Sequence, residues 1–288
     1  MKISKDFPNG QTKFLGLIGF PIKHSLSPQI HNYLFRKYSL NYIYGCFEVR
    51  HLKEAVKGLF NLGFVGFNVT IPYKEKIISY LDRVDKEAEV IGAVNTVRVN
   101  GEGLAGFNTD GRGFLKSLEK FSFTPQGKAV LILGAGGGAK AAATYLAKAK
   151  VKRIAVYDII YKKSISLKNR IEKFFPKTEV ITLKEKKEIS LREFDLVVNA
   201  TGVGLKKEDP SPIKLEGAKK HLVVYDLIYN PLLTSFLKEA KKKKLLAING
   251  LWMLIWQALE AEKIWLGINF YKEASTIYQI LTRYLRKC

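Results

Sequence analysis

The run Gly134-Ala135-Gly136-Gly137-Gly138 sits between an apolar, strand-like stretch, Ala129–Leu133, and an alanine-rich one. That order predicts a strand, a glycine turn and a helix. Gly134 permits the tight turn, and Gly136 lets the backbone approach a pyrophosphate. The helix N-terminus then offers free N–H groups and a positive dipole to phosphate oxygens. A second strand, Arg153–Tyr157, ends at Asp158, twenty residues after Gly138. That spacing suits an acid accepting hydrogen bonds from an adenosine ribose. A glycine turn serving only helix–strand packing is the alternative, but it does not require the second strand or the acid. The unit therefore implies a nicotinamide-dependent oxidoreductase.

Three polar clusters interrupt the first third of the chain. In Gly19-Phe-Pro-Ile-Lys-His-Ser-Leu-Ser-Pro-Gln-Ile-His-Asn32, Ser25 and Ser27 are two residues apart, on one side of an extended backbone, just before a helix starting at Pro28. Two hydroxyls there suit a carboxylate, and Ser27 alone also reads as a simple N-cap. In Asn68-Val-Thr-Ile-Pro-Tyr-Lys74, alternation turns Asn68 and Thr70 to one face and Pro72 ends the strand with Lys74 at its mouth. A solvated lysine opening a helix is the other reading of Lys74. The third cluster joins Asn95-Thr96 to Asn108-Thr-Asp110, where Asp110 reads either as a helix cap or as a carboxylate placed for proton transfer with Lys74.

These groups need elements to hold them. Phe14–Phe20, Asn41–Val49, Phe64–Thr70, Ala93–Val99 and Leu104–Phe107 read as strands, and Pro28–Tyr38 and His51–Leu62 as helices. From Ala129 the alternation continues with strands at Arg153–Tyr157, Glu179–Leu183, Leu196–Asn199, Leu222–Leu227 and Leu245–Ile248. Successive β–α units of this length imply a doubly wound parallel sheet. Two helices, Leu251–Trp265 and Tyr271–Leu285, finish the chain. The fold class is thus α/β, with an N-terminal α/β domain, a Rossmann domain, and C-terminal helices packing back on the first. The domain limits read as 1–110 completed by 251–288, and 111–250. At 288 residues each part is large enough to bury its own core.

Charge and cysteine usage exclude several classes. The 48 Lys and Arg outweigh the 26 Asp and Glu, a net charge of +22. The lysines are scattered, however (Lys2, Lys53, Lys128, Lys162-Lys163, Lys186-Lys187), and the run Lys241–Lys244 closes a helix, where cations complement the dipole. No RRM, KH or zinc-finger pattern accompanies them, so a lysine-rich solvated surface is preferred over nucleic-acid binding. No stretch is long enough to span a bilayer and no signal peptide is read in Met1–Asp6. Cys46 and Cys288 stand far apart, with no disulfide framework or metal cluster, as expected of a cytoplasmic protein.

The ordered motifs resemble those of the shikimate/quinate dehydrogenase family over nearly the whole chain. They are Ser25-x-Ser27-Pro28-x-x-His31-Asn32, Asn68-Val-Thr70-x-Pro72-x-Lys74, Gly92-Ala-Val-Asn95-Thr96, Asn108-Thr109-Asp110, the glycine turn, Asn199-Ala-Thr201, Asp226-x-x-Tyr229-x-Pro231 and Gln257. The resemblance implies a substrate domain facing a nicotinamide-binding domain across a cleft. It implies Ser25 and Ser27 on the substrate carboxylate. Asn68, Thr70, Asn95, Asp110 and Gln257 would then hold ring hydroxyls, with Tyr229 lining the pocket. Lys74 is the implied acid/base and Asp110 its partner. On the cofactor side it implies Gly134, Ala135, Gly136, Gly137, Gly138, Asp158, Asn199, Thr201 and Gly250. The implied reaction is reversible reduction of 3-dehydroshikimate to shikimate, in the chorismate route to aromatic amino acids, by a monomer or homodimer with NADP or NAD and no metal. Helical spacing independently turns Gln257, with Leu254 and Ala261, to the inner face of its helix.

Three departures bear on that reading. Where the family commonly has Asn-Arg-Thr, this chain has Asp158-Ile-Ile, followed by Tyr161-Lys-Lys163. An acid there accepts from free ribose hydroxyls and repels a 2′-phosphate, which leans towards NAD, although Lys162 and Lys163 are within reach of a phosphate. Gly202 replaces a usual proline and Trp252 a frequent glycine, changes expected at the pocket mouth. Ser27, often threonine in quinate-using relatives, leans towards shikimate. A non-catalytic ligand sensor and a nucleic-acid binder are the readings from other classes, and retention of Lys74, Asp110 and the glycine turn argues against the sensor.

Overall fold

The computed structural model describes residues 8–287, so the amino-terminal segment read for a leader and Cys288 lie outside it. Two compact units emerge. One runs to Thr109 and resumes over Ile255–Thr282; the other comprises Asp110–Leu254 and the residues from Arg283 on.

The first unit carries a six-stranded mixed sheet of β1 (Lys13–Gly19), β2 (Tyr42–Glu48), β3 (Gly66–Val69), β4 (Arg83–Val84), β5 (Thr96–Asn100) and β6 (Gly103–Phe107), in the order β2-β1-β3-β5-β6-β4. β1 pairs in parallel with β2 and β3, β5 runs antiparallel to β3 and β6, and β4 is a parallel edge. Its helices are α1 (Ser27–Lys37), α2 (Leu52–Asn61) and α3 (Lys86–Ile91). Pro28 in the first turn of α1 and Arg36 and Lys37 in the last follow the ordinary asymmetry of helix ends. The sequence pattern left out β4 and α3, both too short for periodicity. A local signal for α3 exists: Asp85 caps it by accepting the Glu87 N–H at 3.0 Å.

The second unit opens with α4 (Asp110–Lys120) and builds an all-parallel sheet from β7 (Ala129–Leu133), β8 (Arg153–Tyr157), β9 (Glu179–Leu183), β10 (Leu196–Asn199), β11 (Val223–Asp226) and β12 (Leu246–Asn249). The strand order is β12-β11-β10-β7-β8-β9, the doubly wound arrangement expected. The continuous apolar runs of β7 and β8 are what a sheet covered on both faces demands. α5 (Gly137–Lys148) and α6 (Tyr161–Phe174) cross over on the way out, and α7 (Ser235–Lys242) follows β11. The α5 alanines pack into the core with Phe114 and Leu118 of α4. Between β10 and β11 the connection over 200–222 is built of turns, without an α-helix.

α8 (Leu251–Leu266) starts in the second unit and delivers its later turns to the first; α9 (Ala274–Leu285) lies mostly there too. Trp265 and Ala261 of α8 pack with Leu15, Leu17, Phe35 and Tyr44, and the Trp265 indole donates to the Val97 carbonyl at 2.9 Å. The C-terminal helices thus pack on the N-terminal domain, as the pattern predicts.

Candidate active site

In the first unit, three of the expected substrate residues share one buried hydrogen-bond network. Asn68 lies on β3, all four of whose residues are buried. Its Nδ2 donates to the Asn95 carbonyl and to Thr96 Oγ1, both at 3.0 Å, and its Oδ1 accepts from the Tyr44 hydroxyl at 2.7 Å. Asn95, just before β5, accepts the Thr109 N–H on Oδ1 at 2.8 Å and donates from Nδ2 to Thr109 Oγ1 at 2.9 Å and to Gln257 Oε1 at 3.4 Å. Gln257 is buried on α8, as its helical spacing predicts. A helix near the end of the chain is therefore joined to Asn95, beside β5, and through it to Asn68 of β3.

Of the remaining first-unit residues, Ser27 reaches this network through a side-chain hydrogen bond with Tyr44. Ser25 Oγ accepts the Ser27 N–H at 3.2 Å. Ser27 is buried inside the first turn of α1, while Leu26 holds the cap position with no side-chain bond. The reading of Ser27 as N-cap is therefore corrected. Thr70, at the end of β3, is half-buried. Lys74 is half-buried before a short 3₁₀ turn at Lys76–Tyr80, not in the α-helix considered for it. Its carbonyl accepts the Val94 N–H at 2.8 Å, which ties the lysine's backbone beside Asn95.

Asp110 opens the second unit. It is buried within the first turn of α4 rather than standing outside it as a cap, a position where a carboxylate complements the helix dipole. Tyr229 is half-buried in the turn after β11.

The residues expected on the cofactor side follow the carboxyl ends of the parallel strands: Gly134–Gly138 after β7, Asp158 after β8, Asn199 and Thr201 at the end of β10, and Gly250 after β12. The strand order reverses between β7 and β10, the place where such sheets bind ligands. Gly134 has φ of +99°, and an added Cβ would lie 2.9 Å from the Ala200 carbonyl oxygen, so only glycine suits this turn. At Gly136, which caps α5, a Cβ would meet nothing within 4 Å. That open space above a helix N-terminus fits a pyrophosphate. A Cβ on Gly250 would overlap the Leu227 backbone, a packing reason for glycine there. Gly137 starts α5, and Gly138 follows it close to the Leu227 side chain.

Asp158, Asn199 and Thr201 spend their polar atoms on the loops themselves. Asp158 Oδ2 accepts the Ala135 N–H and Oδ1 the Ile160 N–H, both at 2.8 Å. The fully buried Asn199 donates to the Val203 carbonyl and to Asp226 Oδ1, and accepts from Thr201 Oγ1 at 2.6 Å. Asp226 was quoted in a motif but given no role. It receives Asn199 Nδ2, the Ile228 N–H and the Thr234 hydroxyl, and burial still pushes its carboxyl up to about 6. Tyr44, His31 and Glu262 were likewise missed as functional residues. A signal for Glu262 was visible: a carboxylate on a mostly apolar helix, beside Ala261 and five residues after Gln257. Trp252 is buried, with the Lys120 ammonium 5.2 Å from its ring, so it packs within the second unit.

Two folds of chemistry are thus on hand: a glycine cradle at a sheet's switch point, and a buried amide network on a second sheet. Among the described residues no helix is long and apolar enough to cross a membrane, and no His, Cys, Asp and Glu group suits a metal ion.

Known proteins match both parts of the chain. Residues 17–97 match the shikimate dehydrogenase substrate binding domain, and residues 117–227 match shikimate / quinate 5-dehydrogenase. A shikimate dehydrogenase (NADP(+)) of Caldanaerobacter subterraneus is 45% identical over 267 residues, covering 91% of this chain and 94% of that one. A shikimate dehydrogenase solved in complex with NADP+ superposes with a TM-score of 0.87 at 39% identity, over 95% of this chain and 97% of that one. The Listeria monocytogenes shikimate 5-dehydrogenase, solved with shikimate and NAD, gives 0.86 at 33% identity, over 95% and 98%. With both halves matched in order and the motifs in place, the chain belongs to the shikimate dehydrogenase family.

Proposed function

We propose that the protein is a shikimate dehydrogenase, reversibly reducing 3-dehydroshikimate to shikimate on the way to chorismate. The observation that carries this reading is the convergence of Asn68, Asn95 and Gln257 in one buried network, in a chain of this family. Amides so placed suit a polyhydroxylated ring, because each hydroxyl both donates and accepts. The unit containing Ser25, Ser27, Asn68, Thr70, Asn95 and Gln257 is the substrate domain, with the two serines on the carboxylate; Tyr229 lines the pocket.

The bound nicotinamide dinucleotide supplies the hydride. Lys74 delivers the proton: its ammonium stabilises the developing alkoxide and donates to that oxygen, with Asp110 as its partner. In the reverse direction Lys74 takes the proton from the substrate hydroxyl.

The cofactor proposed is NADP(H). The relatives named above with NADP+ support it; the Listeria monocytogenes enzyme was solved with NAD, which does not amount to the preference for NAD read from Asp158. The Asp158 carboxylate joins two loops through backbone N–H groups, and Lys162 and Lys163 in the first turn of α6 are the cations available to a 2′-phosphate. Initial rates with shikimate and with quinate, each with NADP+ and with NAD+, test the whole reading. Turnover of shikimate with NADP+ is the expected result; no turnover of shikimate with either cofactor overturns it.

A further inference from the structure

The hydrogen atoms around Asn68 can be assigned one by one. The Asn95 carbonyl only accepts, so the nitrogen of the Asn68 amide must face it, and its second hydrogen goes to Thr96 Oγ1. Both donors of Asn68 are then spent. Its Oδ1 only accepts, so Tyr44 must donate its single hydroxyl hydrogen to it. Asn68 therefore has one capacity left, a lone pair on Oδ1.

Tyr44 is held from behind. Its ring stacks on His31 with centroids 4.1 Å apart and planes 14° from parallel. His31 Nδ1 lies 2.5 Å from Glu262 Oε1, and neither side chain has any exposed surface. His31 Nε2 and Glu262 Oε2 have no other hydrogen-bond partner among the described residues. A buried pair with no alternative partners is costly to separate, so it fixes the histidine ring and the tyrosine stacked on it. Burial also pushes the Tyr44 phenol well above its ordinary range, which keeps it a proton donor. Glu262 is on α8, the helix that supplies Gln257.

We propose that Tyr44, held by the His31–Glu262 pair, is the positioning residue for Asn68, and that Asn68 meets the substrate only as an acceptor, selecting a ring hydroxyl that donates. This rests on the proposed function and adds to it the direction of one hydrogen bond and three residues behind it.

The test is calorimetric binding of shikimate and of three analogues, each with one ring hydroxyl replaced by fluorine, which cannot donate. Wild type should lose about tenfold in affinity for one analogue. Tyr44→Phe should lose about tenfold for shikimate yet nothing further for that same analogue, with NADP+ affinity unchanged and kcat within about threefold of wild type. Glu262→Gln, which keeps the shape of the pair, should show the same dependence on that hydroxyl at about threefold. Unchanged shikimate binding in Tyr44→Phe, or equal losses for all four ligands, overturns the proposal. Wild type that binds none of the four overturns the functional reading, and this inference with it.

Discussion

The carboxylate of Asp158 accepts the backbone N–H of Ala135 at 2.8 Å, so the residue at the end of β8 pins the glycine turn after β7. Its other oxygen takes the Ile160 N–H, holding the entry to α6. Two adjoining loops of the cofactor cradle thus depend on one side chain. Asp158→Ala should destabilise the protein by about 1–3 kcal/mol in urea unfolding. It should also weaken NADP+ and NAD+ by similar factors in titration calorimetry. Weaker NAD+ with tighter NADP+ would show instead that the carboxylate reads the ribose.

Lys74→Ala tests the proton donor. With the ammonium gone, the transition state loses both its cation and its proton, so kcat should fall about 10²–10⁴-fold while KM for shikimate changes far less. Steady-state rates decide it, and an unchanged kcat removes Lys74 from the acid/base role.

Asp226 gives the second unit a pH dependence of known sign. Its folded carboxyl titrates at about 6 against an ordinary 3.8, mainly because burial disfavours the anion. The stability linked to its proton is complete below about pH 4 and is lost as pH rises through 6. Asparagine can keep the Asn199 and Ile228 bonds on its oxygen and donate to Thr234 from its nitrogen. Asp226→Asn should therefore fold normally. Between pH 4 and 7, wild type should lose about 3 kcal/mol relative to the variant. Parallel stability–pH curves for the two proteins would contradict this.

Gly250 is a steric test. An alanine there would drive its methyl into the Leu227 carbonyl, which belongs to backbone and has nowhere cheap to go. Gly250→Ala should cost about 3 kcal/mol, read as a lowered thermal midpoint. At Gly136 an alanine methyl meets open space, so Gly136→Ala should leave the midpoint nearly unchanged while weakening NADP+ in a fluorescence titration.

Most of the fold was legible because its strands are buried and its helices two-faced. β7 and β8 were readable to the residue from their apolar runs, and α8 from its periodicity. What escaped was short or three-dimensional. β4 has two residues and α3 six, less than one reliable period of either pattern. The glycine turn, Asn68, Asn95 and Gln257 could be picked out as polar or flexible residues at the ends or on the inner faces of apolar elements. The helix-cap reading of Ser27 failed for a local reason: α1 begins one residue earlier than Pro28 alone suggests. Tyr44 and His31 were invisible as functional groups because their role depends on a ring stack and on Glu262, 231 residues from His31, which no local pattern encodes.

The late arrival of α8 has a consequence for biosynthesis. Trp265 covers Leu15, Leu17 and Phe35, yet it leaves the ribosome some 250 residues after Leu15. Until then the amino-terminal sheet is a nascent surface with an uncovered apolar flank, while the inserted second unit already has every strand of its own. The first domain to be translated is thus the last to close, and a chain terminated shortly after Leu254 would present that flank to chaperones and proteases rather than to Trp265.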